Sequence, residues 1–255
     1  MNRILLIGDS CTDIFIYGIC NRLNPEAPTP VFQEVYRTQN QGMAGNVFNN
    51  LKALGLNDLT TFYTHKEEIT KTRYVDIKSN YILLRVDNDS IPEPFQNASS
   101  INVTDYDLVI ISDYDKGYLS TGDIQTILSH CKLSFIDTKK PIDNWILNAS
   151  FVKINDAEYS KIQNNSETLK ILEKNRKLII TIGDKGTNYD GEIFKPPYHV
   201  LVRDIVGAGD TFLASLAGHF LLHQNIKSAI SFANLCSGQV VGKKGIEYPD
   251  EKLVV

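Results

Sequence analysis

The stretch Asp204-Ile205-Val206-Gly207-Ala208-Gly209-Asp210-Thr211-Phe212 restricts this chain more than any other. Three small residues lead into an acid, and a strongly apolar run follows: Phe212, Leu213, Ala214, Leu216 and Ala217. That run has helical spacing and meets no proline before Pro249, so it predicts a helix that starts near Gly207. Glycines let a ligand approach the backbone without a Cβ in the way. Free N–H groups at a helix start attract anions, and the helix dipole adds to that attraction. Asp210 would then sit where negative charge collects. A carboxylate there repels phosphate, so its presence needs a chemical reason. General-base catalysis supplies one: Asp210 takes the proton from a substrate hydroxyl that attacks a phosphoryl group. The other reading is an acid at a helix N-terminus beside a tight turn. The stretch by itself does not choose between them.

The rest of the chain alternates strands and helices. Ile4–Ile7 reads as a buried strand from which Gly8-Asp9 turns away. Ligands of open α/β sheets bind beyond the carboxyl ends of strands, which puts Asp9 and Asp13 near a site. Phe15–Tyr17 and Val31–Tyr36 read as short strands around a proline-rich segment, Asn24–Pro30. Such strands suit a lid, or pairing with another subunit. Gln41-Gly42-Met43-Ala44-Gly45-Asn46 is a second glycine turn, opening a helix that carries Val47, Leu51 and Leu54 and stops at Gly55. Thr72–Val75 and Tyr81–Val86 form a hairpin about Ser79-Asn80, with Arg85 near its end.

Further buried strands end in polar residues. Asp107–Ile111 ends at Ser112-Asp113, and Lys116-Gly117 follows in a loop, where the lysine can meet a phosphate as a point charge. Leu133–Ile136 ends at Asp137-Thr138-Lys139. Phe151–Ile154 ends at Asn155, with Glu158 one helical turn later, so the two side chains face one spot. Leu178–Ile180 leads into Thr181-Ile182-Gly183-Asp184-Lys185-Gly186. Asp190-Gly191 marks a hairpin turn, His199–Val202 reads as a strand, and helices over about Gly209–Leu222 and Ile226–Val241 close the chain. Repeated strand–helix units predict an α/β fold: a mainly parallel sheet with helices on both faces and a small lid sheet at its carboxyl edge.

The 255 residues suit one large domain with a small appendage, so the expectation is a single domain over 1–255 with lid strands inserted at about 14–36 and 72–87. A net charge of −4 and no long basic run argue against nucleic acid or an anionic membrane as partner. Cys11, Cys20, Cys131 and Cys236 are scattered, which fits reduced thiols and a cytoplasmic setting. The first apolar run ends at Gly8-Asp9, too early for a signal peptide, and no stretch is long enough to span a bilayer. His219 and His223 fall four apart without a third metal ligand in view.

Asp204-x-x-Gly207-Ala208-Gly209-Asp210 resembles the second signature of the ribokinase-like (PfkB-type) carbohydrate kinases, with Val206 where a threonine is usual. Gln41–Asn46 resembles the first signature, with Met43 in place of the second glycine. Asn155-x-x-Glu158 and Thr181-x-Gly183-x-x-Gly186 resemble the family's magnesium and nucleotide motifs. Within the family, Asn21–Val31, Leu84–Asp87, Ser112–Gly117, Phe232-Ala233-Asn234 and Gly242-Lys243-Lys244-Gly245 resemble the heptose-7-phosphate kinases, the kinase half of ADP-heptose synthesis enzymes. Between Tyr63 and Thr72 this chain is shorter than the family pattern by a helix and a strand.

The resemblance implies a ribokinase-like three-layer α/β/α sandwich and an ATP-dependent sugar kinase that uses Mg²⁺. Gly207, Ala208 and Gly209 would form the anion hole and Asp210 the base. Asp13, Gly42, Asn46, Arg85, Asp113 and Lys116 would hold the sugar phosphate. Asn155, Glu158, Thr181, Gly183, Gly186, Asn234, Gly242, Lys243 and Gly245 would face the nucleotide, with Glu158 meeting Mg²⁺ through water. Asp204 is a candidate for a monovalent cation such as K⁺. The exposed lid sheet implies a homodimer, and no nucleotidyltransferase domain is recognisable. Phosphorylation of another sugar or a nucleoside, and non-catalytic sugar-phosphate binding, are the alternatives.

Overall fold

Ile4, Leu5, Leu6 and Ile7 are all fully buried, which a strand achieves only when both faces of its sheet are covered. The computed structural model describes residues 2–96, 101–163, 166–197, 200–243 and 245–253. In chain order the elements are β1 (Ile4–Gly8), β2 (Ser10–Leu23), β3 (Pro30–Met43), α1 (Ala44–Ala53), β4 (Thr60–Tyr63), β5 (Ile69–Asp76) and β6 (Ile82–Asp89). Then come β7 (Leu108–Asp113), α2 (Thr121–His130), β8 (Ser134–Thr138), β9 (Phe151–Asn155), α3 (Asp156–Ile162) and α4 (Glu167–Lys174). The last are β10 (Leu178–Thr181), β11 (Thr187–Tyr189), β12 (Glu192–Phe194), α5 (Ala208–His223) and α6 (Ile226–Val241).

Among the described residues the large sheet has eight strands in the order β12-β11-β10-β9-β8-β7-β1-β4. From β4 to β10 every pairing is parallel, and β11 and β12 add an antiparallel hairpin at one edge. The pleat divides the core in two. Ile4 and Leu6 point into a cluster with Val47 and Leu51 of α1, the length of α5, and Ala229, Ile230 and Ala233 of α6. Leu5 and Ile7 point the other way, to Ile124 and Leu128 of α2 and Leu169 and Leu172 of α4. Helix α5 has no polar face: Thr211 to Gly218 are all buried, Ser215 among them. That fits a helix enclosed between the sheet and two other helices. The hairpin turn at Asp190-Gly191 has positive φ at both residues, 52° and 77°, as its sequence predicted.

A second sheet of four strands, β3-β2-β5-β6, stands beyond the carboxyl end of β1. Its first two strands run 14 residues each, well past the short segments expected at 15–17 and 31–36. The polar stretch Thr38 to Gln41 belongs to β3 because it pairs, register by register, with Thr12 to Phe15. Ladder hydrogen bonds carry the strand through residues whose pattern does not announce it. β2 pairs parallel with β5, and β5 antiparallel with β6.

Two expectations need correction. The second turn does not fall on a glycine: β3 runs through Gly42 to Met43, and Ala44 already begins α1. The bend falls on Met43, at φ 56° and ψ −133°, a conformation that glycine adopts far more easily. Residues 200–202 form no strand, and Tyr198 and His199 lie outside the described residues. Leu201 and Val202 are exposed, and the Arg203 N–H bonds to the Val241 carbonyl at the end of α6 instead of a sheet partner. Lys244, part of the last motif, also lies outside the described residues. At the other edge β4 is the last strand, and Thr64–Glu68 passes directly to β5 in the small sheet.

Candidate active site

Helix α5 begins behind Gly207, which has φ 80°. A side chain at Gly207 would meet the Asn46 amide nitrogen at 2.6 Å, so only glycine fits both the bend and the space. Asp210 lies in the first turn and is 6% exposed. Its Oδ2 accepts from Asn46 Nδ2 at 2.9 Å, and its Oδ1 accepts from the Tyr114 hydroxyl at 2.7 Å. Both donors are neutral. Burial therefore dominates and pushes the Asp210 carboxyl up to about 6, against the pull of those two hydrogen bonds. A carboxylate that titrates near neutrality at a helix N-terminus suits proton transfer.

The turn at Gly207–Gly209 has a cation beside it. A Cβ on Gly209 would lie 3.1 Å from Lys153 Nζ. Lys153, on β9, pairs at 2.5 Å with Asp137, its register partner on β8. Lys139 continues the chain, at 3.3 Å from Asp137 and 2.6 Å from Glu158. Burial works to raise the Asp137 carboxyl, but the two ammonium groups outweigh it and leave it below the usual value. The backbone bend at Gly207, the missing side chain at Gly209 and the buried ammonium form a cradle that fits a phosphate.

Gly42 and Asp13 come together at the foot of the small sheet, and Asn46 follows in the first turn of α1. A Cβ on Gly42 would stand 2.1 Å from Asp13 Oδ2, so the glycine makes room for that carboxylate. Asp13 is held by a buried ion pair with Arg73. The Asn46 side chain is fixed from behind, its oxygen accepting from Asn50 Nδ2 at 3.3 Å. Arg85 and Lys116 have partners of their own. Arg85 grips Asp87 with two bonds of 2.7 and 2.6 Å, and Lys116 meets Asp89 at 2.5 Å. Asp113 accepts from Thr138 and pairs with Lys140 at 2.8 Å, and Lys140 also meets Asp115.

The nucleotide candidates divide. Asn155 and Glu158 form a reciprocal capping box at the start of α3, with bonds of 2.8 and 2.9 Å, besides the Glu158–Lys139 pair. Gly183 and Gly186 have φ of 57° and 96°, and a Cβ on Gly186 would strike the Phe194 carbonyl at 2.0 Å. Thr181 Oγ1 reaches back to the Ile154 carbonyl at 3.4 Å. Asn234 is committed to structure: it accepts from Thr187 and donates to the Phe194 carbonyl, both at 2.8 Å, tying α6 to the edge hairpin. Gly242 caps α6, and Lys243 reaches the Tyr248 carbonyl and Asp250, both at 2.9 Å. Asp204 Oδ1 accepts from its near neighbour, the Val206 N–H, at 3.0 Å. Asp204 and Gly245 border a cavity of about 320 Å³ with Phe15 and Tyr17 of the small sheet and Tyr81 just before β6. Asp210 is not among its walls.

Four residues of this site, Tyr114, Asp137, Lys139 and Lys153, were not singled out from the sequence. Lys153 carried a signal: a lysine between Val152 and Ile154 in a buried strand needs a partner. Tyr114 lies inside the Ser112–Gly117 motif, but nothing local points its hydroxyl to Asp210.

Residues 50–253 match the model of the pfkB family carbohydrate kinases. The chain belongs to that family. This is the family that the resemblance of Asp204–Asp210 and Gln41–Asn46 to its signatures implied. Among curated relatives, "Bifunctional protein HldE" of a Nitratiruptor species is 32% identical over 95% of this chain, which covers 62% of that protein. The protein of the same name from Helicobacter pylori strain J99 is 32% identical over 96% of this chain, which covers 64% of it. The chain thus spans less than two thirds of these relatives. The first match runs over 287 positions, more than the 255 residues present here, so the relative carries residues that this chain lacks. Among solved structures, Thermotoga maritima ribokinase superposes with a TM-score of 0.70 at 15% identity, over 96% of this chain and 95% of that one. Escherichia coli phosphofructokinase-2, in complex with potassium, gives 0.71 at 14% identity, over 96% and 94%. At such identities the agreement is one of fold.

Proposed function

We propose that this kinase transfers the terminal phosphoryl group of ATP to the anomeric hydroxyl of a heptose 7-phosphate or a related sugar phosphate. The observation that carries the reading is Asp210: a buried carboxylate at a helix N-terminus, held by two neutral donors, beside a glycine cradle with a buried ammonium. Asp210 accepts the proton of the attacking hydroxyl. The amides at Gly207–Gly209 and Lys153 stabilise charge that spreads over the transferred group. Asp13, Gly42 and Asn46 orient the sugar, and the Gly183–Gly186 loop, Gly242, Lys243 and Gly245 border the nucleotide. Glu158 would hold Mg²⁺ through water, positioned by Asn155, and the ion would offset phosphate charge. Asp204, beside the cavity at Gly245, is the candidate for a monovalent cation.

The resemblance of the lid segment Asn21–Val31 and of the Ser112–Gly117 loop to heptose-7-phosphate kinases supports the substrate class, as does the identity to the proteins named HldE. One observation favours a second reading. Arg85 and Lys116, the candidates for the substrate's own phosphate, already have carboxylate partners. An unphosphorylated sugar would leave those pairs intact. ATP consumption across heptose 7-phosphates, other sugar phosphates, free sugars and nucleosides separates the two. Turnover confined to phosphorylated sugars is expected; preference for a free sugar or nucleoside would overturn the substrate class, and binding without turnover would overturn the kinase assignment.

The small sheet supports a homodimer. β6 is exposed along its whole length, including Ile82, Leu83 and Leu84, and Val35 and Tyr36 of β3 are exposed too. A second copy would cover these apolar groups and the open strand edges. Sedimentation at high protein concentration tests this; a mass that stays strictly monomeric rejects it.

A further inference from the structure

We infer that Tyr114 is a positioning residue for the base, fixing the Asp210 carboxylate through its hydroxyl and joining the small sheet to the catalytic centre. The inference rests on Asp210 being the base. Tyr114 lies 96 residues from Asp210 in sequence, just past the carboxyl end of β7, yet its hydroxyl donates to Oδ1 at 2.7 Å. Its backbone is anchored as well: the Tyr114 N–H donates to Asp9 Oδ2 at 2.7 Å, and Lys116 N–H shares that oxygen at 3.2 Å. The ring packs on Cys11, Met43 and Ile69, all from the small sheet or its junction with α1. The Lys71 and Lys139 ammonium groups lie 5.4 and 5.7 Å from the ring centre, one from the lid and one from the anion-hole side. The phenol thus meets the lid, the β7 end and the base together. Met43, the departure from the family's glycine pattern, sits in the cluster that supports this ring.

Two donors from different elements leave the carboxylate one rotamer. Asn46 holds Oδ2 from α1, and Tyr114 holds Oδ1 from the β7 end. Either alone would let the group turn about its Cβ–Cγ bond. The phenol also favours the ionised form of Asp210, because it donates to the charged oxygen. Burial and the nearby carboxylates of Asp210 and Asp137 keep the phenol itself protonated. The charged or titratable groups that face Asp210 from the packed elements are Tyr114, Asp137 on β8, Lys153 on β9 and Cys11 on β2.

Tyr114→Phe keeps the ring and its packing and removes only the hydroxyl. We expect kcat to fall about tenfold, with KM for ATP unchanged. The acid limb of kcat/KM should move to higher pH. In the ligand-free protein, the ¹³C carboxyl titration of Asp210, assigned by its loss in Asp210→Asn, should move the same way. An unmoved acid limb and carboxyl titration, with only a lower melting temperature, would show Tyr114 to be packing and overturn the inference. If Asp210→Asn keeps wild-type turnover, the base assignment fails by itself. The carboxyl titration then still decides whether Tyr114 governs that carboxylate.

Discussion

Asp210 and Asp137 are both buried carboxylates, and their surroundings push them in opposite directions. Asp210 is held by an amide and a phenol, which stabilise its charge only in part, so burial raises it to about 6. Asp137 is held by the ammonium groups of Lys153 and Lys139, which overcome burial and lower it. The first can take a proton near neutral pH and the second cannot. Partner type, more than depth, separates a carboxyl raised toward neutrality from one held ionised. The same contrast gives Lys153 a role in the site. Its charge is balanced by Asp137, yet it faces Gly209, where phosphate would lie.

The largest effect that tests this contrast is on turnover. Asp210→Asn keeps the size and cannot accept the proton, so kcat should fall by about 10²–10⁴. ATP binding should survive. A kcat within a few-fold of wild type would reduce Asp210 to a helix-cap residue and end the comparison.

Asp137→Asn should act on stability. It leaves the Lys153 ammonium buried without its carboxylate, a change that typically costs about 3–5 kcal/mol. Chemical denaturation reads it directly. The double variant Asp137→Asn with Lys153→Met should recover much of that loss, while a loss equal to the sum of the two single changes would show that the pair is not coupled.

Titration sharpens the contrast through stability. The folded state holds Asp210 protonated above its ordinary range, so the stability this group gives is present at low pH and is lost as pH rises through about 6. Asp137 is lowered, so its contribution is present above the ordinary carboxylate value and is lost as pH falls. Asp210→Asn removes the first contribution, so its melting temperature should gain on the wild type from about pH 4 to about pH 7. A difference that stays flat over that range would mean that Asp210 does not titrate there.

The smallest effect expected lies at the lid. Arg85→Ala and Lys116→Ala should raise KM for a phosphorylated sugar by several-fold, with KM for ATP unchanged, because each removes a binding contact present in ground and transition states alike. Their carboxylate partners limit the change, since each cation already has one. Equal rises in both KM values would place these residues away from the sugar's phosphate.

Much of the fold was legible because its signals are local. The apolar run of Ile4–Ile7, the helix after Gly209 and the Asp190-Gly191 turn each follow from a few neighbouring residues and their backbone preferences. The long strands of the small sheet were less legible. Their outer halves are polar, as in Thr38–Gln41, and owe their form to ladder partners. The Leu201-Val202 segment misled for the converse reason: it has strand-forming side chains and no strand partner among the described residues. Asn234 looked like a ligand residue by motif, but both ends of its amide are engaged by Thr187 and Phe194.

By itself the sequence determined where the backbone can bend close to an anion, and that an acid follows. Gly207, Ala208, Gly209 and Asp210 are adjacent, so steric freedom and helix start are written in one place. The tertiary structure alone decided what that acid meets. Asn46 is 164 residues away and Tyr114 is 96. Lys153 reaches Asp137 only because β8 and β9 are neighbours in a given register. Sheet order and register fix those meetings, and no local pattern encodes them; the proton affinity of Asp210 is settled there.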